Sequence, residues 1–213
     1  MVESASPKTA RGNAKIRLLE AARDLIRRQG YSATTVDELC EAAKVTKGAF
    51  FHHFKTKDAL GVAAAEDWGS NTSALFEAAP YHRHPDPLDR VLAYIDFRRS
   101  MIEGDVAEWT CLVGTMTQEL YRTSPEIRDA CAASIFDHAD TLSPDIQAAI
   151  DLHGFTPEWT PASLSEHIQA VLQGAFILAK ASVDPDVAIR CIDHLRRYVE
   201  LLFNPIADEE QSK

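Results

Sequence analysis

The stretch that decides the fold is TTVDELCEAAKVTKGAFFHHFKTKDAL, residues 34–60. Thr35 followed three positions later by Glu38 forms a capping box, the signature of a helix start. Val36, Leu39, Cys40 and Ala43 then share one face at helical spacing. Lys44-Val45 turns the chain. Thr46 caps a second helix that is barely two turns long and ends near His53. Thr56 caps a third helix, with Asp58 in its first turn, where the helix dipole favours a carboxylate. Two short helices across a tight turn form a helix-turn-helix, whose second helix enters a DNA major groove with its N-terminal residues nearest the bases. Those residues here are Thr46, Lys47, Gly48 and Ala49. Lys47 can donate to guanine acceptors or to a phosphate. Gly48 and Ala49 let the backbone approach closely, and Ala49 can touch a thymine methyl. Phe50 and Phe54 have the spacing of core anchors, which turns Phe51 and His52 outward and His53 toward a flanking phosphate. Thr35 offers a hydroxyl and a helix-end N–H to a phosphate, and Lys57 offers a charge to the DNA backbone. A helical hairpin that touches no DNA fits the same spacing; an outward Phe51 beside two histidines argues against it.

Working outward, the charge is uneven. Residues 1–60 hold 11 basic and 7 acidic side chains, whereas residues 61–213 hold 11 and 25, and the 213-residue chain carries a net −10. Such a protein has no general affinity for nucleic acid, so the basic end is the part expected to dock, through local contacts. Hydrophobic residues make up 46% and charged residues 25%, the balance of a soluble globular protein. No apolar run approaches the roughly 18 residues that span a bilayer. The first dozen residues lack the apolar core of a signal peptide. The expected compartment is the cytoplasm, with no membrane partner. Cys40, Cys111, Cys131 and Cys191 are far apart and read as buried free thiols. Redox sensing by Cys111 or Cys131 is the weaker alternative. His82 and His84 sit among prolines without ligand spacing, so neither a metal nor a cofactor is expected.

Helical periodicity runs through nearly the whole chain, with no strand alternation, and the expected class is all-α. A helix over residues 14–29, stopped by Gly30, precedes the quoted stretch. The fourth helix should reach about Ala78, where Pro80, Pro85 and Pro87 break it. Further helices are expected over 88–103, 108–121, 125–142, 144–153, 162–181 and 185–203, with FTPEWTPAS as a loop. The implied organisation is a flexible arm (1–12), a three-helix DNA-binding domain (13–60), a larger, acidic helical domain (61–206) and a frayed tail (207–213). Lys8 and Arg11 on the arm could enter a minor groove, although a solubilising tail explains them as well.

The N-terminal stretch resembles the TetR family of bacterial transcription regulators. The resemblance rests on Thr35, Leu39, Ala42 or Ala43, Val45, Thr46, Gly48, Phe50, His53, Phe54, Thr56, Lys57 and Leu60, preceded by Gly30-Tyr31-x-x-Thr34. Two positions depart from the family pattern. Lys44 replaces the usual turn glycine, so the turn must tolerate a side chain. Phe51 replaces the usual tyrosine, which removes a hydroxyl contact to phosphate. The resemblance implies that Thr35, Thr46, Lys47, Gly48, Phe51, His52, His53 and Lys57 line the DNA surface. It also implies a homodimer built on the last two helices, with Gly174 and Ala175 allowing close approach and Phe176, Leu178, Ile189, Ile192, Leu195, Val199 and Leu202 supplying apolar area.

The function implied is a repressor released from a near-palindromic double-stranded operator by a small, mostly apolar effector. The alternative is an activator, or a regulator without a small-molecule ligand. An all-helical enzyme is the competing class, but no nucleophile elbow, phosphate loop or H-E-x-x-H motif is present. The segment 109–121 mixes apolar bulk with polar groups, as an effector pocket requires. Its candidate lining is Trp109, Cys111, Thr115, Met116 and Gln118, with Trp68, Phe97, Met101, Phe136 and Phe176 as further walls; ordinary core is the simpler reading of any one of them taken singly.

Overall fold

The computed structural model describes residues 7–154 and 156–203, with side chains from Ala14 onward. Among these, every regular element is helical. The order is α1 (Pro7–Gln29), α2 (Val36–Ala42), α3 (Lys47–His53), α4 (Lys57–Glu77), a 3₁₀ turn (Pro80–Arg83), α5 (Pro87–Ser100), α6 (Val106–Trp109), α7 (Leu112–Leu120), α8 (Pro125–Asp140), α9 (Ser143–His153), α10 (Pro161–Ser182) and α11 (Pro185–Phe203).

Helix α1 begins at Pro7, so the backbone of residues 7–12 is helical and not a loose arm. The tail 207–213 lies outside the described residues. The helix expected over 108–121 is in fact two. Cys111 adopts an extended conformation and its Sγ accepts the Gly114 N–H at 3.4 Å, which starts α7 afresh. The fifth helix stops at Ser100 rather than near residue 103, and Gly104 turns the chain at φ +79°.

The chain divides into two compact units, and the division differs from a break at residue 60. One unit holds the chain up to Ala74 together with Thr110–Ile135; the other holds Leu75–Trp109 and the chain from Phe136 onward. The first unit's core joins Leu18, Ala22, Ile26, Leu39, Phe50 and Leu60 to Leu112, Met116, Ile127 and Cys131. Burying these side chains removes apolar surface from water at about 25 cal/mol per Å². The three N-terminal helices therefore share one core with α7 and the first part of α8. The second unit packs α5 against α9 and α11, and α10 against α6, α9 and α11.

Candidate nucleic-acid interface

Local chemistry sets the α2–turn–α3 geometry. The Thr35 hydroxyl accepts the Glu38 N–H at 3.2 Å, and the Glu38 carboxylate accepts the Thr35 N–H at 2.7 Å. Hydrogen bonds from Thr35 hold the Glu38 carboxyl below its ordinary pKa. Helix α2 ends in a Schellman motif: the Lys44 N–H donates to Glu41 O at 3.0 Å and the Val45 N–H to Cys40 O at 2.9 Å. That motif needs a left-handed residue after the cap, and Lys44 supplies it at φ +53°. The turn thus keeps the backbone a glycine would give and stores strain of about 1–3 kcal/mol.

Thr46 caps α3 by accepting the Ala49 N–H at 3.1 Å. Phe50 is fully buried and Phe54 nearly so, which fixes the rotation of the helix. Lys47, Gly48, Phe51 and His52 are exposed as a result, while Ala49 and His53 are half-buried. Phe51 is 48% exposed and rests edge-on against Phe50, with ring centroids 5.1 Å apart. A Cβ built on Gly48 would meet no atom closer than 3.8 Å, so the fold itself does not require a glycine there. The Lys47 ammonium lies 2.7 Å from the Asp37 carboxylate, which raises its pKa, and it must exchange that partner to reach DNA.

Lys57 departs from the sequence expectation. Its ammonium donates to the carbonyls of Tyr31 and Thr34, at 2.8 Å each, and lies 4.3 Å from the Tyr31 ring centroid. Its position at the start of α4 puts it beneath the α1–α2 loop, where these two carbonyls capture it, and burial lowers its pKa. It braces the loop instead of standing free for a phosphate. Sequence reasoning missed the partner of that brace. Glu119 accepts the Tyr31 N–H at 2.9 Å and the Ser32 N–H at 2.8 Å, one on each carboxylate oxygen. Gly30, at φ +89°, makes room for it, because a Cβ there would fall 2.5 Å from Glu119 Oε1. The Tyr31 hydroxyl completes the brace by donating to Asp58 at 2.6 Å, and burial raises its pKa.

The effector candidates separate by unit. Trp68, Cys111, Thr115, Met116 and Gln118 belong to the first; Phe97, Met101, Trp109, Phe136 and Phe176 belong to the second. In the first, Met116 is fully buried core, the Thr115 hydroxyl is bonded to Cys111 O, and the Gln118 amide to Gly114 O. In the second, Phe136 is 54% exposed, because Ile127, Cys131 and Ile135 form the stripe of α8 that turns inward. Trp109 and Phe176 do meet, with ring centroids 5.7 Å apart. Sequence reasoning missed a buried polar chain in the same unit, against Phe76. The Gln169 amide donates to the Tyr94 hydroxyl, and that hydroxyl pairs with His138 Nε2, at 2.9 Å each. Burial lowers the His138 pKa to about 4. On the closing helices, Ala175, Phe176, Ile192, Leu195 and Val199 are buried within the subunit, which corrects their reading as seam residues. Ile177, Leu178, Tyr198 and Leu201 are the large apolar side chains left exposed.

A family model for the bacterial regulatory proteins of the TetR family matches residues 18–64, and one for the tetracycline repressor-like C-terminal domain matches residues 87–195. The chain belongs to the TetR family. It is a transcriptional regulator, as are the relatives it matches, and not an enzyme. The transcriptional regulator AcuR of Cereibacter sphaeroides is 25% identical over 169 residues, covering 79% of this chain and 77% of AcuR. The reduced form of Escherichia coli NemR superposes with a TM-score of 0.72 at 24% identity, covering 86% of this chain and 96% of NemR. A cysteine mutant of the TetR-family regulator CifR, solved with a 26-bp double-strand operator, superposes with a TM-score of 0.70 at 18% identity, over 84% of this chain and 94% of CifR. TetR-family structures bind operator DNA and function as dimers.

Proposed function

We propose that two copies of this chain pair through α10 and α11 and present their α3 helices to successive major grooves of a near-palindromic operator. Occupancy represses a promoter, and a small-molecule effector releases it. Two reading heads related by a two-fold axis then sit about 34–36 Å apart, one turn of DNA. Bases are read by Lys47, Gly48, Ala49, Phe51 and His52, and phosphates are held by Thr35, Thr46 and His53. Lys57 acts indirectly, by fixing the loop that carries Thr35. NemR of E. coli and DhaR of a Mycobacterium are named as repressors, which supports that sign of regulation. A regulator of this kind works in the cytoplasm, where the chromosome lies.

The observation that carries the reading is Gly48, a glycine at the leading end of an exposed helix that the fold does not need. A partner that approaches the backbone does need it. Gly48→Ala should therefore keep or raise the melting temperature, since alanine favours helix by roughly 0.5–1 kcal/mol over glycine, yet weaken binding to the operator upstream of the protein's own gene. Lys47→Ala should weaken it also and lower the salt slope. Undiminished operator affinity in both variants, measured by fluorescence anisotropy, would overturn the assignment of α3.

A further inference from the structure

The charged side chains of α5 are not treated alike. Arg90 pairs with Asp145 at 2.8 Å, Arg99 with Asp193 at 2.7 Å, and Asp96 with Arg196 at 3.0 Å. Arg98 has no hydrogen bond or ion pair among the described residues. It is half-buried, with its guanidinium carbon 5.2 Å from the Phe76 ring centroid and 5.6 Å from that of Phe176. A cation held between two rings, out of reach of any carboxylate, has lost water without gaining an anion. This occurs in the acidic part of the chain, where residues 61–213 hold 25 carboxylates to 11 basic groups. A second group points the same way. The Trp109 indole, against the same Phe176 ring, buries its Nε1–H without an acceptor.

We infer that Arg98 and Trp109 form, with the rings of Phe76 and Phe176, the binding site for a small organic carboxylate with a flat or apolar body. The proposal rests on the effector-release reading and narrows its effector from apolar to anionic. Both polar groups are donors only, so the ligand must bring acceptors, which excludes an ammonium group at this end. The planar fork of Arg98 matches the two oxygens of a carboxylate, and the rings accept the hydrocarbon body. The Gln169–Tyr94–His138 chain next to Phe76 is bonded within itself, and the His138 ring lies 4.4 Å from Phe76. It offers a fixed polar wall.

The test is calorimetric titration of the full chain with benzoate, trans-cinnamate and butanoate, each beside its uncharged amide, followed by operator binding in the presence of each. At least one acid should bind about tenfold or more tightly than its amide, the difference a charged hydrogen bond makes. Arg98→Met should abolish that preference and leave ligand-free operator affinity unchanged. Trp109→Phe should weaken acid binding while keeping the ring. If no acid binds, or Arg98→Met binds it as well as the parent chain, the site is overturned. If Arg98→Met fails to fold, Arg98→Lys decides the matter: an undiminished preference for acid over amide in it and in Trp109→Phe overturns the site. Acid binding through Arg98 that leaves operator affinity untouched upholds the site and sinks effector release. Release by amides as strongly as by acids upholds effector release and sinks the anion site.

Discussion

The polar groups of α3 and those around Tyr94 are placed by opposite means. In α3 the cap is set three positions away, Thr46 to Ala49, and the helix face is fixed by Phe50 and Phe54, four apart. Around Tyr94, the partners lie 44 and 75 positions away in sequence, on α8 and α10. The cap and the face of α3 are set by its neighbours in sequence, whereas a buried network built from three helices depends on all of them being packed.

The contrast can be broken most forcefully at Tyr94. Tyr94→Phe removes the hydroxyl that pairs Gln169 and His138, and should cost about 1–3 kcal/mol for each buried group left unpaired. Urea unfolding measures it, and a cost near zero would mean the network is not rigidly held. Next comes pH. The folded His138 pKa is lowered to about 4 by burial, so between there and an unfolded value of about 6.5 the unfolded chain binds the extra proton. Stability is therefore fully present above that window and falls as pH drops through it, by roughly 3 kcal/mol. His138→Gln should lack this component, and denaturation midpoints at pH 4.5 and 7.5 compare the two. Removing the local cap with Thr46→Ala should cost about 1 kcal/mol, and calorimetry should show it without a change in the His138 component. The smallest effect has the opposite sign. Lys44→Gly relieves the left-handed backbone at φ +53° and should stabilise the protein by about 0.5–1 kcal/mol.

How much of this was legible depended on the range of the signal. Thr35 with Glu38, Thr46, Phe50 and Phe54 could be read because cap and face are properties of a few adjacent residues. The bracing role of Lys57 was out of that range: a lysine at a helix start reads only as a phosphate contact until the carbonyls of Tyr31 and Thr34, 26 and 23 positions earlier, are seen beside it. Glu119 carries no local mark at all. The break at Cys111 is equally silent, since residues 108–121 contain no proline and keep helical periodicity; only a thiol acting as a cap divides them. Arg98 could not be told from Arg99 in sequence, because what distinguishes them is the aspartate that one has and the other lacks.

The Glu119 clamp sets an order of events on the ribosome. The helix-turn-helix is complete in sequence at Leu60, but the two N–H groups of its first loop wait for a carboxylate at position 119. At roughly 5–20 residues per second, the intervening stretch takes several seconds to synthesise. During that interval the nascent chain has the reading helix without the acceptor that steadies the loop behind it. The shared core waits likewise for Leu112, Met116 and Ile127. The head therefore becomes competent to grip an operator only after much of the chain behind it has been made.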